Sequence, residues 1–323
     1  MLKEIAIHEI EGVRIGHGEN RDAGTGCTVI ICPAGGPCGV DVRGGGPASR
    51  ETELLRPVAA AEVIHAIVLC GGSAFGLDAA GGVMRYLEER DIGFATSVCK
   101  VPLVVASSIF DLVCGSSTVR PDAAMGYAAC VHSEENRPQG GNHGVGIGAT
   151  VGKYGGAATM MKAGLGIAAF QAGDVKVGAL VVVNALGDVY GEDGRILAGM
   201  LTKEGEFADT VQCMLGDLER SAAVPGGCTT NTTIGAVVTN AALDKTAMNK
   251  VAALGSNGIV RAVRPVNTMA DGDTLYALST GGVSGEVNSV GILAAYAVEE
   301  AVRRAVRDVA GAYGIPALCD MDR

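Results

Sequence analysis

The chain has 323 residues, enough for one large domain or two small ones. Its formal net charge is −10, with no Lys/Arg-rich run, which argues against a nucleic-acid partner. No apolar run approaches a membrane span, and the start at Met1-Leu2-Lys3-Glu4-Ile5 has no apolar leader core, so no membrane partner and a cytoplasmic location are expected.

In chain order, short β-type runs alternate with longer Ala/Gly-rich stretches of helical period. Residues 28–32 and 66–70 read as buried strands, and 78–89 as a helix with Val83 and Leu87 on one face. Segment 132–148, polar and then glycine-rich, reads as a surface loop near the site. Residues 179–183, 233–239 and 274–279 are further buried strands, and 244–254 reads as a helix stopped by Gly255. The longest helical pattern is 288–312, with Glu299/Arg303 and Glu300/Arg304 four apart on its wet side. The 49 glycines and scarce aromatics imply a core closed by small side chains. Periodicity alone gives an α/β or α+β protein with buried sheets and does not order the strands.

Several features point away from other chemistries. The ten cysteines (27, 32, 38, 70, 99, 114, 130, 213, 228 and 319) are scattered, mostly in apolar runs, with no Cys-x-x-Cys pair. They read as small buried hydrophobes, Cys228 included. The histidines (8, 17, 65, 132 and 143) never fall at ligand spacing, so neither a metal nor a cofactor is expected. Gly144-Val145-Gly146-Ile147-Gly148 followed by Gly152-Lys153 fails the phosphate-loop pattern, because Ile147 stands where Gly is needed and Tyr154 where Ser/Thr is needed. Gly71-Gly72-Ser73-Ala74-Phe75-Gly76 misses the nucleophile-elbow spacing by one residue. It reads better as a strand-to-helix turn whose N–H groups border a pocket or touch an oxyanion.

The stretch that carries chemistry is Gly226-Gly227-Cys228-Thr229-Thr230-Asn231-Thr232-Thr233-Ile234-Gly235, a Gly-rich loop that delivers an Asn-Thr pair into a β-branched run. If the Asn231–Thr232 bond is cut, Thr232 gains an α-amine beside its own hydroxyl. A hydroxyl is a weak nucleophile, and an α-amine of pKa about 7.7–8 is a base already attached to it.

Asn231-Thr232-Thr233-Ile234-Gly235-Ala236-Val237-Val238-Thr239-Asn240 resembles the self-cleavage segment of the L-aminopeptidase/D-amidase-esterase peptidases, a family that includes the nylon-oligomer (6-aminohexanoate oligomer) hydrolases. Gly12–His17, Gly24–Val29, Val40–Gly45, Arg50–Thr52, Gly71–Asp78, Ile109–Leu112 and Asp271–Leu275 resemble family motifs in the same order. The resemblance implies a four-layer αββα sandwich over 1–323, cut into an α fragment 1–231 and a β fragment 232–323 that stay packed as one unit. It implies Thr232 as nucleophile and Asp271 with Asp273 as the carboxylates that hold its amine. Residues i and i+2 of an extended segment share a face, consistent with that pairing. It further implies Lys153 bridging the acid pair, Asn184 as oxyanion donor, and a pocket edge at Gly71, Gly72, Ser73 and Phe110. Phe110 stands where some members carry a Tyr, and Asp271 where many aminopeptidases carry a Ser. The implied activity is hydrolysis of small peptides or amide oligomers through an acyl-Thr232 intermediate, by a homo-oligomer (tetramer or octamer by analogy). Acyl transfer, as in ornithine acetyltransferases, and an uncleaved small-molecule-binding protein are the alternatives.

Overall fold

A computed structural model describes residues 2–220 and 231–321. Residues 226–230, including Cys228, lie outside them. Two sheets dominate. The first has the order β1 (Lys3–Glu4), β8 (Leu165–Ala172), β9 (Val175–Asn184), β10 (Thr232–Ala241), β11 (Thr274–Val283) and β4 (Cys38–Val42), with β10 and β11 parallel. The second has the order β2 (Arg14–Asn20), β3 (Thr25–Gly36), β6 (Ile64–Cys70), β7 (Val104–Ser108) and β5 (Ser49–Arg50), with β6 and β7 parallel.

The period of two in each strand sorts its side chains between two cores. From β9 and β10, Leu180, Val182, Ile234 and Val238 meet Ile30, Ile67, Leu69 and Val105 of the second sheet. Their neighbours Val181, Val183 and Val237 face α4 (Lys245–Ala262) and α5 (Val287–Arg307) on the outer side. A third core packs α1 (Ala79–Glu88) and α2 (Ala123–His132) on the other outer face, through Val29, Val68, Val83 and Leu87. The layers are therefore α, β, β, α. The glycine content has a direct reason here. A Cβ on Gly166 would stand 1.7 Å from the Ala301 carbonyl oxygen of α5, and one on Gly82 would stand 1.7 Å from that of Ala123. Backbone touches backbone at both places, helix on sheet in the first and helix α1 on helix α2 in the second, which only glycine permits.

The strands expected from sequence are present and longer. Five expectations need correction. Helix α4 runs through Gly255 to Ala262; a Cβ there would sit 3.0 Å from Leu275, so that glycine serves close packing and does not stop the helix. Helix α5 ends at Arg307 rather than 312. Arg303 is not on a wet face: it is 8% exposed and held by Glu299 at 2.6 Å and Glu192 at 3.3 Å. Within 132–148, residues 144–148 are buried, and the Gly146 carbonyl accepts from Lys162. Cys27, Cys32, Cys38, Cys70, Cys114 and Cys130 are buried, whereas Cys99 and Cys319 are exposed.

Candidate active site

Thr232 begins β10, and the register of the first sheet decides what surrounds it. Asn184, the last residue of β9, is its direct antiparallel partner, so both side chains stand on one sheet face. That face is the one carrying Ile234 and Val238 toward the second sheet. Thr233 points the opposite way, toward the helices, so strand alternation singles out Thr232 among neighbouring threonines. Thr232 is 5% exposed.

On the other side of β10 lies the turn into β11. Asn231 bridges Asp271 in parallel fashion, and the Gly272 N–H donates to the Asn231 carbonyl oxygen at 2.9 Å. The Thr232 hydroxyl donates to the same oxygen. The carbonyl that precedes Thr232 thus already receives one backbone N–H and the adjacent hydroxyl. The 43–46 segment clasps this turn from behind: Gly46 N–H donates to the Asp271 carbonyl at 2.8 Å and Arg43 N–H to the Asp273 carbonyl at 3.0 Å. A Cβ on Gly44 would lie 2.3 Å from Asp273 N, so the clasp requires glycine.

The acid pair is buried, with Asp271 1% and Asp273 2% exposed. Asp273 accepts from Thr233 N–H at 2.5 Å and Asn267 N–H at 2.9 Å, whereas Asp271 accepts from the Thr268 N–H and hydroxyl at 2.9 and 2.5 Å. Burial, and then the neighbouring Asp271 charge, push the Asp273 carboxyl well above the usual range. Lys153 follows a short strand at Thr150–Val151, and its Nζ donates to the Asn184 carbonyl at 2.8 Å. Burial presses its proton affinity down to about 7, against the attraction of Cys114, Asp271, Asp111 and Asp273.

Asn184 is held firmly. Its Oδ1 accepts from Thr150 N–H at 3.1 Å, which points Nδ2 at the Phe110 carbonyl, 3.0 Å away. Its amide donates to the Phe110 carbonyl, and the donor at the Asn231 carbonyl is Gly272. Phe110 contributes that backbone oxygen. At the β6 turn the N–H groups of Gly71, Gly72 and Ser73 go to Gly26 O (2.8 Å), Asp111 Oδ1 (2.6 Å) and Ile109 O (2.9 Å). The expected oxyanion contact from this turn is therefore corrected: its donors are spent within the fold. Gly72 and Ser73 both have positive φ, of 80° and 55°, and the turn they form seats Asp111.

Three participants escaped the sequence reading. Gly272 was hidden because its contribution is a backbone N–H. Asp111, 1% exposed, accepts from Thr25 Oγ1 and Gly72 N–H, both at 2.6 Å, and its charge supports Lys153. Lys162 is fully buried, with Nζ on the carbonyls of Gly146 (3.2 Å), Ala149 (2.9 Å) and Ala163. It pins the loop that leads to Thr150 and so to Asn184. A lysine inside a Gly/Ala-rich run was the available signal for it.

The profile of peptidase family S58 matches residues 6–315. An uncharacterized aminopeptidase of Mycobacterium leprae is 36% identical over 344 residues, which cover 98% of this chain and 94% of the relative. A 6-aminohexanoate-oligomer endohydrolase of Agromyces sp. is 31% identical over 278 residues, covering 86% of this chain and 76% of that protein. Among solved structures, the L-aminopeptidase D-Ala-esterase/amidase of Ochrobactrum anthropi, described as a variant of the Ntn hydrolase fold, superposes with a TM-score of 0.70. It is 19% identical, over 98% of this chain and 91% of that one. A Burkholderia sp. β-aminopeptidase gives a TM-score of 0.68 at 22% identity, over 97% and 90% of the two chains.

Proposed function

The chain belongs to peptidase family S58, and from that premise we propose that it is a self-processing amide hydrolase whose nucleophile is Thr232. The observation that carries the reading is the hydrogen-bonded set at the start of β10. The Thr232 hydroxyl and the Gly272 N–H both meet the Asn231 carbonyl oxygen, in a buried site with Lys153, Asn184, Asp271 and Asp273 around it.

Maturation follows from the parts. Thr232 Oγ attacks the Asn231 carbonyl carbon while its proton passes to a base. Lys153 suits that role, because a proton affinity near 7 leaves a share of neutral amine at neutral pH. Negative charge grows on the Asn231 oxygen, where the Gly272 N–H already points; a fixed donor of this kind is worth most in a dry site. The C–N bond then breaks, the Thr232 nitrogen takes a proton, and the Asn231 acyl group stands as an ester on Oγ. Water hydrolyses the ester, returns a proton to Oγ and releases the Asn231 carboxylate.

In the cut protein the Thr232 α-amine replaces Lys153 as base for its own hydroxyl. Lys153, once an ammonium, holds that amine neutral by its charge, and Asp271 with Asp273 balance both. Thr232 Oγ attacks a substrate amide, the amine leaves with a proton, and water clears the acyl-Thr232 ester. Small peptides and short amide oligomers are the substrates in view, consistent with the aminopeptidase and oligomer-hydrolase names of the relatives. The test is hydrolysis of L-aminoacyl anilides by the purified wild type beside Thr232→Ala. Activity in the first and none in the second is expected; equal activity in both removes Thr232 from the chemistry.

A further inference from the structure

We propose that Asn231 occupies, before the cut, the acyl subsite of the mature site, and that this subsite takes L-α-aminoacyl groups with a short polar side chain, their nitrogen held by the Ala270 carbonyl. The inference rests on the reading of Thr232 as nucleophile and deepens it.

The warrant is a chemical identity. The N→O shift leaves the Asn231 acyl group as an ester on Thr232 Oγ. Turnover of an amide substrate leaves its acyl group as an ester on the same oxygen. The two intermediates differ only in what the acyl carbon carries. Groups that hold Asn231 are therefore in place to hold a substrate's acyl residue once residues up to 231 have withdrawn.

Among the described residues, backbone groups are prominent in that hold. The carbonyl oxygen of Asn231 meets Gly272 N–H at 2.9 Å. Its own N–H donates to the Ala270 carbonyl at 3.4 Å, and its side-chain Nδ2 donates to the same carbonyl, also at 3.4 Å. One acceptor thus reads both the α-nitrogen and a side-chain amide. Asn231 is 2% exposed, so its side chain is enclosed. A free α-ammonium in the same position brings stronger donors to Ala270 O than the N–H it replaces, because charge-assisted hydrogen bonds are the stronger class.

The acceptor is itself fixed by a side chain. Thr268 Oγ1 accepts from Ala270 N–H at 3.1 Å and donates to Asp271 Oδ2 at 2.5 Å, which ties the Ala270 peptide to the acid pair. Thr268 is on this account a positioning residue for the acyl nitrogen. Configuration follows as well: the subsite is shaped around an L-residue, so D-acyl groups would turn the nitrogen away from Ala270 O.

The experiment compares two rankings. Self-cleavage rates are measured for wild type and for Asn231→Ser, Asn231→Gln, Asn231→Leu and Asn231→Lys. Values of kcat/KM are measured for the wild-type mature enzyme on L-Asn, L-Ser, L-Gln, L-Leu and L-Lys anilides. The two orders should coincide, with Asn and Ser at the top and Leu and Lys at least tenfold lower in both. Thr268→Val should raise KM for the L-Asn anilide about tenfold, whereas Thr268→Ser, which keeps the hydroxyl that meets Ala270 N–H and Asp271, should stay near wild type, a rescue that general loosening of the fold does not give. Inhibition of the wild type by free L-asparagine against D-asparagine needs no variant to fold, and L should be the stronger by tenfold or more. Unrelated rankings, or equal inhibition by the two enantiomers, overturn the subsite while self-cleavage and the Thr232 dependence stand. Loss of those two instead overturns the nucleophile reading beneath it.

Discussion

Replacing Lys153 by Met keeps the length of the side chain and removes its charge, its proton-accepting nitrogen and its bond to the Asn184 carbonyl. Two effects of opposite sign follow. Burial lowers the proton affinity of this amine from its ordinary 10.5 to about 7. At 1.36 kcal/mol per tenfold change, the fold therefore holds the ammonium at a cost of about 5 kcal/mol, an order-of-magnitude figure. The unfolded chain binds the proton more tightly between pH 7 and 10.5, so this group makes stability rise with pH across that window. Below pH 7 the cost is present in full. Lys153→Met should flatten that rise, and part of the cost should return as stability at pH 6, less what Asn184 O and the acid pair lose as unpaired groups. Maturation moves the other way. Loss of a positioned base costs about a hundred- to ten-thousandfold in rate, so the variant should accumulate as an uncut chain. Wild-type maturation should rise with pH through about 7, as Lys153 sheds its proton, and the residual rate of the variant should lack that step. The assays are denaturant unfolding at pH 6, 8 and 10 and the time course of chain cleavage over the same range. A Lys153→Met protein that matures at the wild-type rate with the same pH midpoint would refute the role given to this amine.

Asp273→Asn should move the pH midpoint of maturation down, because the Asp273 charge raises the proton affinity of Lys153; a cleavage–pH profile checks it. Asp273 also acts on stability: its raised carboxyl makes the wild type lose stability as pH climbs from about 4 toward neutrality, a loss the Asn variant should not show in unfolding curves. Gly272→Ala places a Cβ 2.8 Å from both Thr232 Oγ1 and the Gly46 carbonyl, and self-cleavage should fall at least tenfold in gel time courses while circular dichroism stays native. Lys162→Met leaves the carbonyls of Gly146, Ala149 and Ala163 without their ammonium; at about 1–3 kcal/mol per buried group the melting temperature should drop by several degrees.

Much of the fold is legible in the sequence because its strands are continuous apolar runs, as sheets buried on both faces require. The run at 233–239 announces β10 directly, and the paired charges at 299/303 and 300/304 mark α5. What misled was a local rule overruled by packing. Gly255 carries the usual mark of a helix end, yet α4 continues through it because a side chain there would press on Leu275. Arg303 follows the surface pattern of an i,i+4 pair but faces Glu192 and the Tyr190 carbonyl from a distant segment, which no local pattern reveals. At the site, the alternation of Asp271 and Asp273 was readable as one face of an extended segment, whereas the different hydrogen-bond partners of the two carboxylates were not. Backbone donors such as Gly272 N–H have no side-chain signature at all.

The most direct measurement is the intact mass of the purified protein under denaturing conditions, wild type beside Thr232→Ala. The account predicts two wild-type fragments, 1–231 and 232–323, and one whole chain for the variant. A wild type that stays whole, or a variant that is cut at the same bond, contradicts it.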